Sequence, residues 1–173
     1  MKIRTIILAF VTFTAFAFTS CLKTNNDVVE RTKAIEQEEI NDLLAELTTK
    51  GFDIDTTDAG VFYIVYEEGE GPVVTYGDSI TITYEAFHIN GSLLDDSDYW
   101  YENGEWEFEY PDNDLIQGFT DGLSIMNKGM VAQFIIPSEL AYGAIGYYPA
   151  IDAYETIVYG IKMIDIRSNT LSE

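Results

Sequence analysis

The sequence predicts an α+β domain, an antiparallel β-sheet wrapped around one short α-helix, preceded by an N-terminal amphipathic helix. Three observations carry that prediction. Apolar residues alternate with a period of two in "VFYIVY", "DSITITYEAF" and "ETIVYGIKMIDI". The intervening stretch "DNDLIQGFTDGLSIMNKG" switches to helical spacing, and Ile40, Leu43, Leu44 and Leu47 keep helical spacing among Glu, Gln and Lys.

A length of 173 residues suits one domain with extensions. The chain begins with a basic "MKIR" and the uncharged apolar run "TIILAFVTFTAFAF". That run falls short of the ~20 residues of a membrane span, so residues 1–20 read as a signal peptide. The following "FTSC" resembles the lipobox of bacterial lipoproteins, cleaved before the cysteine. Cys21 is then the expected lipidation site and residues 21–27 a lipidated tether. Several acyl chains give stable attachment, which places the mature protein in a bacterial cell envelope, anchored to a membrane, with the outer membrane expected. Cys21 is the sole cysteine, which excludes an internal disulfide and a Cys-based zinc site. With 30 acidic residues against 9 basic ones the formal charge is −21, and loss of Lys2 and Arg4 takes it to −23. Such a surface repels phosphates and excludes nucleic acid as a partner.

Residues 28–59 form the N-terminal helical segment, with Gly51 as its stop. Its single apolar stripe spans under four heptads, so it is expected to pack on the domain over 60–173 rather than to form a dimer seam; a monomer is favoured. From Val61 the strands begin, with "EEGEGP" as a turn and Ile80, Ile82 and Tyr84 on one face of a half-buried strand. A turn follows at Asn90-Gly91. The segment from Asp95 to Asp114, with Tyr99, Trp100, Tyr101, Trp106, Phe108 and Tyr110 interspersed, reads as solvated acidic loop. Neither it nor the group Asp53, Asp55 and Asp58 has the glycine and closing Glu of an EF-hand, so no metal is expected.

The short helix is expected to take Asp112, Asn113 or Asp114 as N-cap, to present Leu115, Ile116, Phe119, Leu123 and Met126 on one face, and to end at Gly129. "MVAQFIIP" and a strand placing Ile157, Tyr159, Ile161 and Met163 on one side complete the domain. His88 is the single histidine, in strand-like sequence with no nucleophile motif nearby, and reads as a surface or strand-end residue. Serine hydrolase, metalloprotease and nucleotide-binding motifs are all missing from the sequence.

Taken in order, "GEGPVVTYGDSITITYEAF", "NGSLLDDS", "LIQGFTDGLSIMNKGM", "FIIPSELAYGAIG" and "ETIVYGIKMIDI" resemble the FKBP-type peptidyl-prolyl isomerases over about residues 60–166. The resemblance implies an aromatic cleft between helix and sheet and carries roles residue by residue. Tyr84, Asp95, Ile116 and Tyr142 become the candidate catalytic group, with the Ile116 N–H and the Tyr142 hydroxyl as donors to a substrate carbonyl. Leu94, Trp106, Leu115, Phe119, Ala141, Tyr147, Ile151 and Tyr159 become candidate substrate-binding residues. Leu94 and Tyr159 stand where the family has Phe, Phe119 where it has Trp, and Asp152 and Ala153 where it has two prolines. The implied activity is peptidyl-prolyl cis-trans isomerisation of proline-containing polypeptides, assisting the folding of exported proteins with no cofactor. The alternative is a non-catalytic module binding peptide or protein on the same scaffold.

Overall fold

The computed structural model describes residues 31–168. The signal peptide, Cys21 and the tether predicted for residues 1–27 lie outside them. The first element, α1, is Lys33–Thr49. Thr32 caps it, its hydroxyl accepting from Ile35 N–H at 3.4 Å, and the chain turns away at Gly51 with φ 86° while Phe52 N–H closes back on Leu47 O at 3.1 Å. The predicted stripe is used: Ile40 and Leu47 are buried, Leu43 and Leu44 half-buried.

The strands are β1 (Asp55–Thr56), β2 (Phe62–Glu67), β3 (Glu70–Val73), β4 (Ser79–His88), β5 (Leu93–Asp96) and β6 (Trp106–Glu109), then β7 (Asn127–Lys128), β8 (Val131–Ile136) and β9 (Ile157–Arg167). Among the described residues the main sheet runs β1-β2-β8-β9-β4-β5, with β6 also paired to β4, and all its pairings are antiparallel. β3 and β7 form a small second sheet. The "EEGEGP" stretch is therefore partly strand, because β3 finds its partner in β7, far along the chain. The acidic segment likewise contains a strand. In β6 the alternation of Trp106 and Phe108 with Glu107 and Glu109 is a period of two that its acidic surroundings concealed, and the aromatics turn inward.

The short helix, α2, is Gln117–Ser124, and two features differ from expectation. Its N-cap is Ile116, in extended conformation and without a side-chain cap, because Asp112 instead closes the preceding turn, accepting from Asp114 N–H at 2.9 Å. The helix also stops before Gly129, whose φ of 88° serves the turn between β7 and β8. Two glycines in eight residues make α2 a poor helix by propensity, so packing must sustain it. Those glycines allow a close approach to the sheet: a Cβ at Gly122 would stand 2.8 Å from Phe134 Cδ1, and one at Gly118 would overlap Ile136 Cγ2.

Alternation along β8 explains why every residue in it is buried. Phe134 and Ile136 face α2 together with Val61, Ile80, Ile82, Leu123, Ile161 and Met163, whereas Ile135 joins Ile64 and Val158 on the other face, under Leu43, Leu44 and Leu47 of α1. The central strands are thus covered on both sides, not half-buried. Burying a Leu such as Leu47 completely is worth about 1.5–3 kcal/mol, so α1 is an integral layer of the domain.

Candidate functional site

Four elements each send an aromatic side chain to one place. Tyr84 from β4, Tyr159 from β9, Phe119 from α2 and Trp106 from β6 surround a common point, with ring centroids 5.8 Å apart for Tyr84 and Trp106, 6.3 Å for Tyr84 and Phe119, and 4.8 Å for Phe119 and Tyr159. Phe119 forms the base, 3% exposed, while Trp106 and Tyr159 remain half-buried. Most of these contacts are edge-on or tilted, as ring quadrupoles favour.

The polar end of the cluster belongs to Asp95. Its carboxylate accepts from the Tyr84 hydroxyl at 2.8 Å, from Trp100 Nε1 at 2.7 Å and from the Asp96 N–H at 2.9 Å. With both oxygens engaged, Asp95 fixes the ring of Tyr84. Trp100 and Tyr101, expected in solvated acidic loop, contribute here instead; Tyr101 stacks on Trp106 at 5.6 Å and 12°. Their aromatic character inside so acidic a segment was the available signal.

Two donors border this region. Ile116 gives its carbonyl to Phe119 N–H and Thr120 N–H, whereas its own N–H has no protein acceptor among the described residues. Tyr142, half-buried, likewise has a hydroxyl without a protein partner among them, and packs against Tyr147 at 5.8 Å. Ala141 and Leu115 pack against the core, but Leu115 also borders a separate groove with Tyr110, Pro111 and Thr120. Leu94 is half-buried on β5, beside Asp95. Ile151, 6% exposed, anchors its loop through a two-way backbone bridge to Tyr147, a residue 65% exposed.

Residues 71–164 match the family described as FKBP-type peptidyl-prolyl cis-trans isomerase. The chain belongs to that family. Its relatives include the FKBP-type peptidyl-prolyl cis-trans isomerase FkpA of Buchnera aphidicola, 31% identical over 147 residues, an alignment covering 85% of this chain and 57% of that protein. The crystal structure of FkpA from Escherichia coli superposes with a TM-score of 0.61 at 28% identity, covering 78% of this chain and 64% of the other. A peptidyl-prolyl cis-trans isomerase structure from Pseudomonas syringae shares the fold, with a TM-score of 0.65 at 23% identity over 80% of this chain and 97% of that one. The chain thus spans about half the length of the curated relatives it matches.

Within this FKBP domain Tyr84, Tyr159 and Tyr66 are expected to set the alkaline limit. Burial above all, then the hydrogen bond to Asp95, pushes the Tyr84 hydroxyl far above the ordinary tyrosine range; burial does the same for Tyr159 and for Tyr66, which donates to Gln133 at 2.9 Å. A folded-state pKa above the unfolded one means that the native state holds protons the unfolded chain releases. The contribution is complete below the unfolded value of about 10 and is lost as pH rises beyond it. Denaturant midpoints should therefore be level through neutrality and fall above about pH 10. Tyr66→Phe should flatten that fall; an unaltered alkaline slope would contradict the assignment.

Proposed function

We propose that the chain is a peptidyl-prolyl cis-trans isomerase that acts on proline-containing polypeptides and assists exported proteins in folding. The observation that supports this reading most is the meeting of Tyr84, Trp106, Phe119 and Tyr159 around one point, with the Ile116 N–H and Tyr142 hydroxyl left over as donors beside it. Isomerisation about X-Pro is slow because amide resonance raises a barrier of about 20 kcal/mol, and no bond to carbon need be made or broken. A catalyst needs a surface that binds the twisted amide better than the planar one.

Apolar rings suit that task. Twisting removes resonance and lowers the charge separation of the carbonyl, so the twisted form loses less than the planar form on leaving water. Phe119 would carry the proline ring, with Trp106, Tyr84 and Tyr159 as walls. The Ile116 N–H and Tyr142 hydroxyl would hold flanking carbonyls in register. Asp95, by holding Tyr84, keeps one wall in place.

The test is acceleration of cis to trans conversion in an X-Pro peptide. Wild type is expected to exceed the spontaneous rate. Tyr142→Phe removes one hydrogen bond, worth about 0.5–1.5 kcal/mol, and should lower kcat/KM about two- to tenfold. A wild-type rate equal to background, alongside retained peptide binding, would replace catalysis by the binding-module reading.

The lipid anchor belongs to the same proposal. The apolar run, "FTSC" and the polar "LKTNND" after it support attachment through Cys21 in the cell envelope of a bacterium. Cys21→Ser should move the protein from the membrane fraction to the soluble fraction on cell fractionation, and retention in the membrane would count against lipidation.

A further inference from the structure

The segment Ser138–Thr156 carries Ala141, Tyr142, Tyr147 and Ile151, and both of its ends converge on one buried carboxylate from outside the family-matched residues. Glu36, on the first turn of α1, is 4% exposed. Its Oε1 accepts from Ser138 N–H at 2.5 Å and from the Thr156 hydroxyl at 3.0 Å, and its Oε2 accepts from the Ser138 hydroxyl at 2.8 Å. Ser138 in turn sets the turn that bears Tyr142, since its carbonyl accepts from Ala141 N–H at 2.9 Å and from Gly143 N–H at 2.8 Å. Thr156 stands just before β9 and Tyr159.

Arg31 holds the middle of the returning chain. Its Nε donates to Ala153 O at 3.3 Å and its Nη2 to Tyr154 O at 3.2 Å, while Glu39 fixes the guanidinium through contacts of 3.0 and 2.6 Å. Tyr154 has a φ of 52°, a left-handed conformation that needs such support, and its N–H reaches back to Gly143 O at 2.9 Å. The Asp152 N–H, a donor that proline would lack, binds Glu155 Oε2 at 2.7 Å. Hydrogen bonds from α1 and within the loop thus set a shape that ring-locked residues could otherwise impose.

We infer that Glu36 is a positioning residue for the isomerase site, closing the two ends of the Tyr142 loop onto α1, with Arg31 bracing the loop's return. α1 is then part of the catalytic unit. This inference rests on the proposed isomerase reading for its activity readout and on loop protection for an independent one.

The test uses the full chain and the variants Glu36→Ala, Glu36→Gln and, as a control for stability alone, Ile64→Ala. Ile64 lies in the core on β2, in the cluster with Leu47, Ile135 and Val158, which is separate from the cluster that holds the aromatic site. At a temperature where all four are folded by circular dichroism, Glu36→Ala should lower kcat/KM about 10- to 100-fold, as a small misplacement of binding groups does. Amide hydrogen exchange should accelerate over residues 139–155 but not in β4. Glu36→Gln keeps one oxygen acceptor and should recover most of the loss. Ile64→Ala should lower the melting temperature and leave kcat/KM of the folded protein unchanged. Wild-type rates and loop exchange in Glu36→Ala would overturn the inference, as would an equal activity loss in Ile64→Ala. If wild type itself shows no isomerase activity, the functional reading fails. The positioning role then stands or falls on whether loop exchange changes in Glu36→Ala.

Discussion

Phe119→Ala is expected to lose about 3–5 kcal/mol of stability and nearly all of the proposed isomerase activity, the largest combined effect of any single substitution in the site. Phe119 is 3% exposed and touches Tyr84, Trp106 and Tyr159, so truncation leaves a cavity in both the core and the aromatic cluster. Domains of this kind have about 5–15 kcal/mol in all, so the variant should fold in the cold and melt early. Phe119→Leu separates the two roles. It keeps most of the volume, should cost less than about 1.5 kcal/mol, and still removes the flat surface proposed to carry the proline ring. Denaturation midpoints and X-Pro kinetics on both variants check this. Leu at wild-type activity would mean that bulk, not the aromatic ring, is what the site needs.

Gly146→Ala should spare the sheet and disable the loop. Gly146 has a φ of 69°, where a Cβ costs about 1–2 kcal/mol, and that Cβ would stand 2.5 Å from both the carbonyl carbon of Asp152 and the oxygen of Ile151. Those contacts are backbone and cannot swing aside. The loop must therefore open, carrying Tyr147 and Tyr142 with it, and kcat/KM should fall about 10- to 100-fold with the β-sheet signal unchanged. Gly143→Ala is the matched comparison. Its φ is 63°, but a Cβ there meets nothing within 4 Å, so only the conformational cost applies. Equal losses in the two variants would show that left-handed strain, rather than the close passage of the two loop arms, governs the effect.

How legible the protein was depends on the kind of signal. Strands with alternating apolar residues were readable because one face must be buried: Ile80, Ile82 and Tyr84 are all in the core. The helical stripe Ile40, Leu43, Leu44 and Leu47 was readable for the same reason. β3 was not, since its residues are exposed and its existence depends on a distant partner. The expected cap of α2 differs from the observed one because three capping candidates, Asp112, Asn113 and Asp114, stand together and Asp112 satisfies a nearer turn. Tyr84, Trp106, Phe119 and Tyr159, all candidates from the sequence, meet in one aromatic cluster, whereas Trp100 and Glu36 are not candidates there, because each is engaged through a tertiary contact that no local pattern announces. A buried Glu in a helix full of exposed Glu residues looks like its neighbours until Ser138 and Thr156 arrive.

The margins of the sheet have a consequence for a protein whose proposed clients are unfolded chains. Extended polypeptides add readily to any long open strand, and a folding helper with such an edge would be templated by its own clients into aggregates. Here one margin ends in β1, two residues long, and the other is divided between β5 and β6, each of four residues, with Glu107 and Glu109 exposed along β6. Register shifts at Ala86/Phe87 and Thr81/Ile82 interrupt the flat run of β4 behind them. The molecule thus offers the unfolded chains proposed as its clients an aromatic site and only short strand edges to copy.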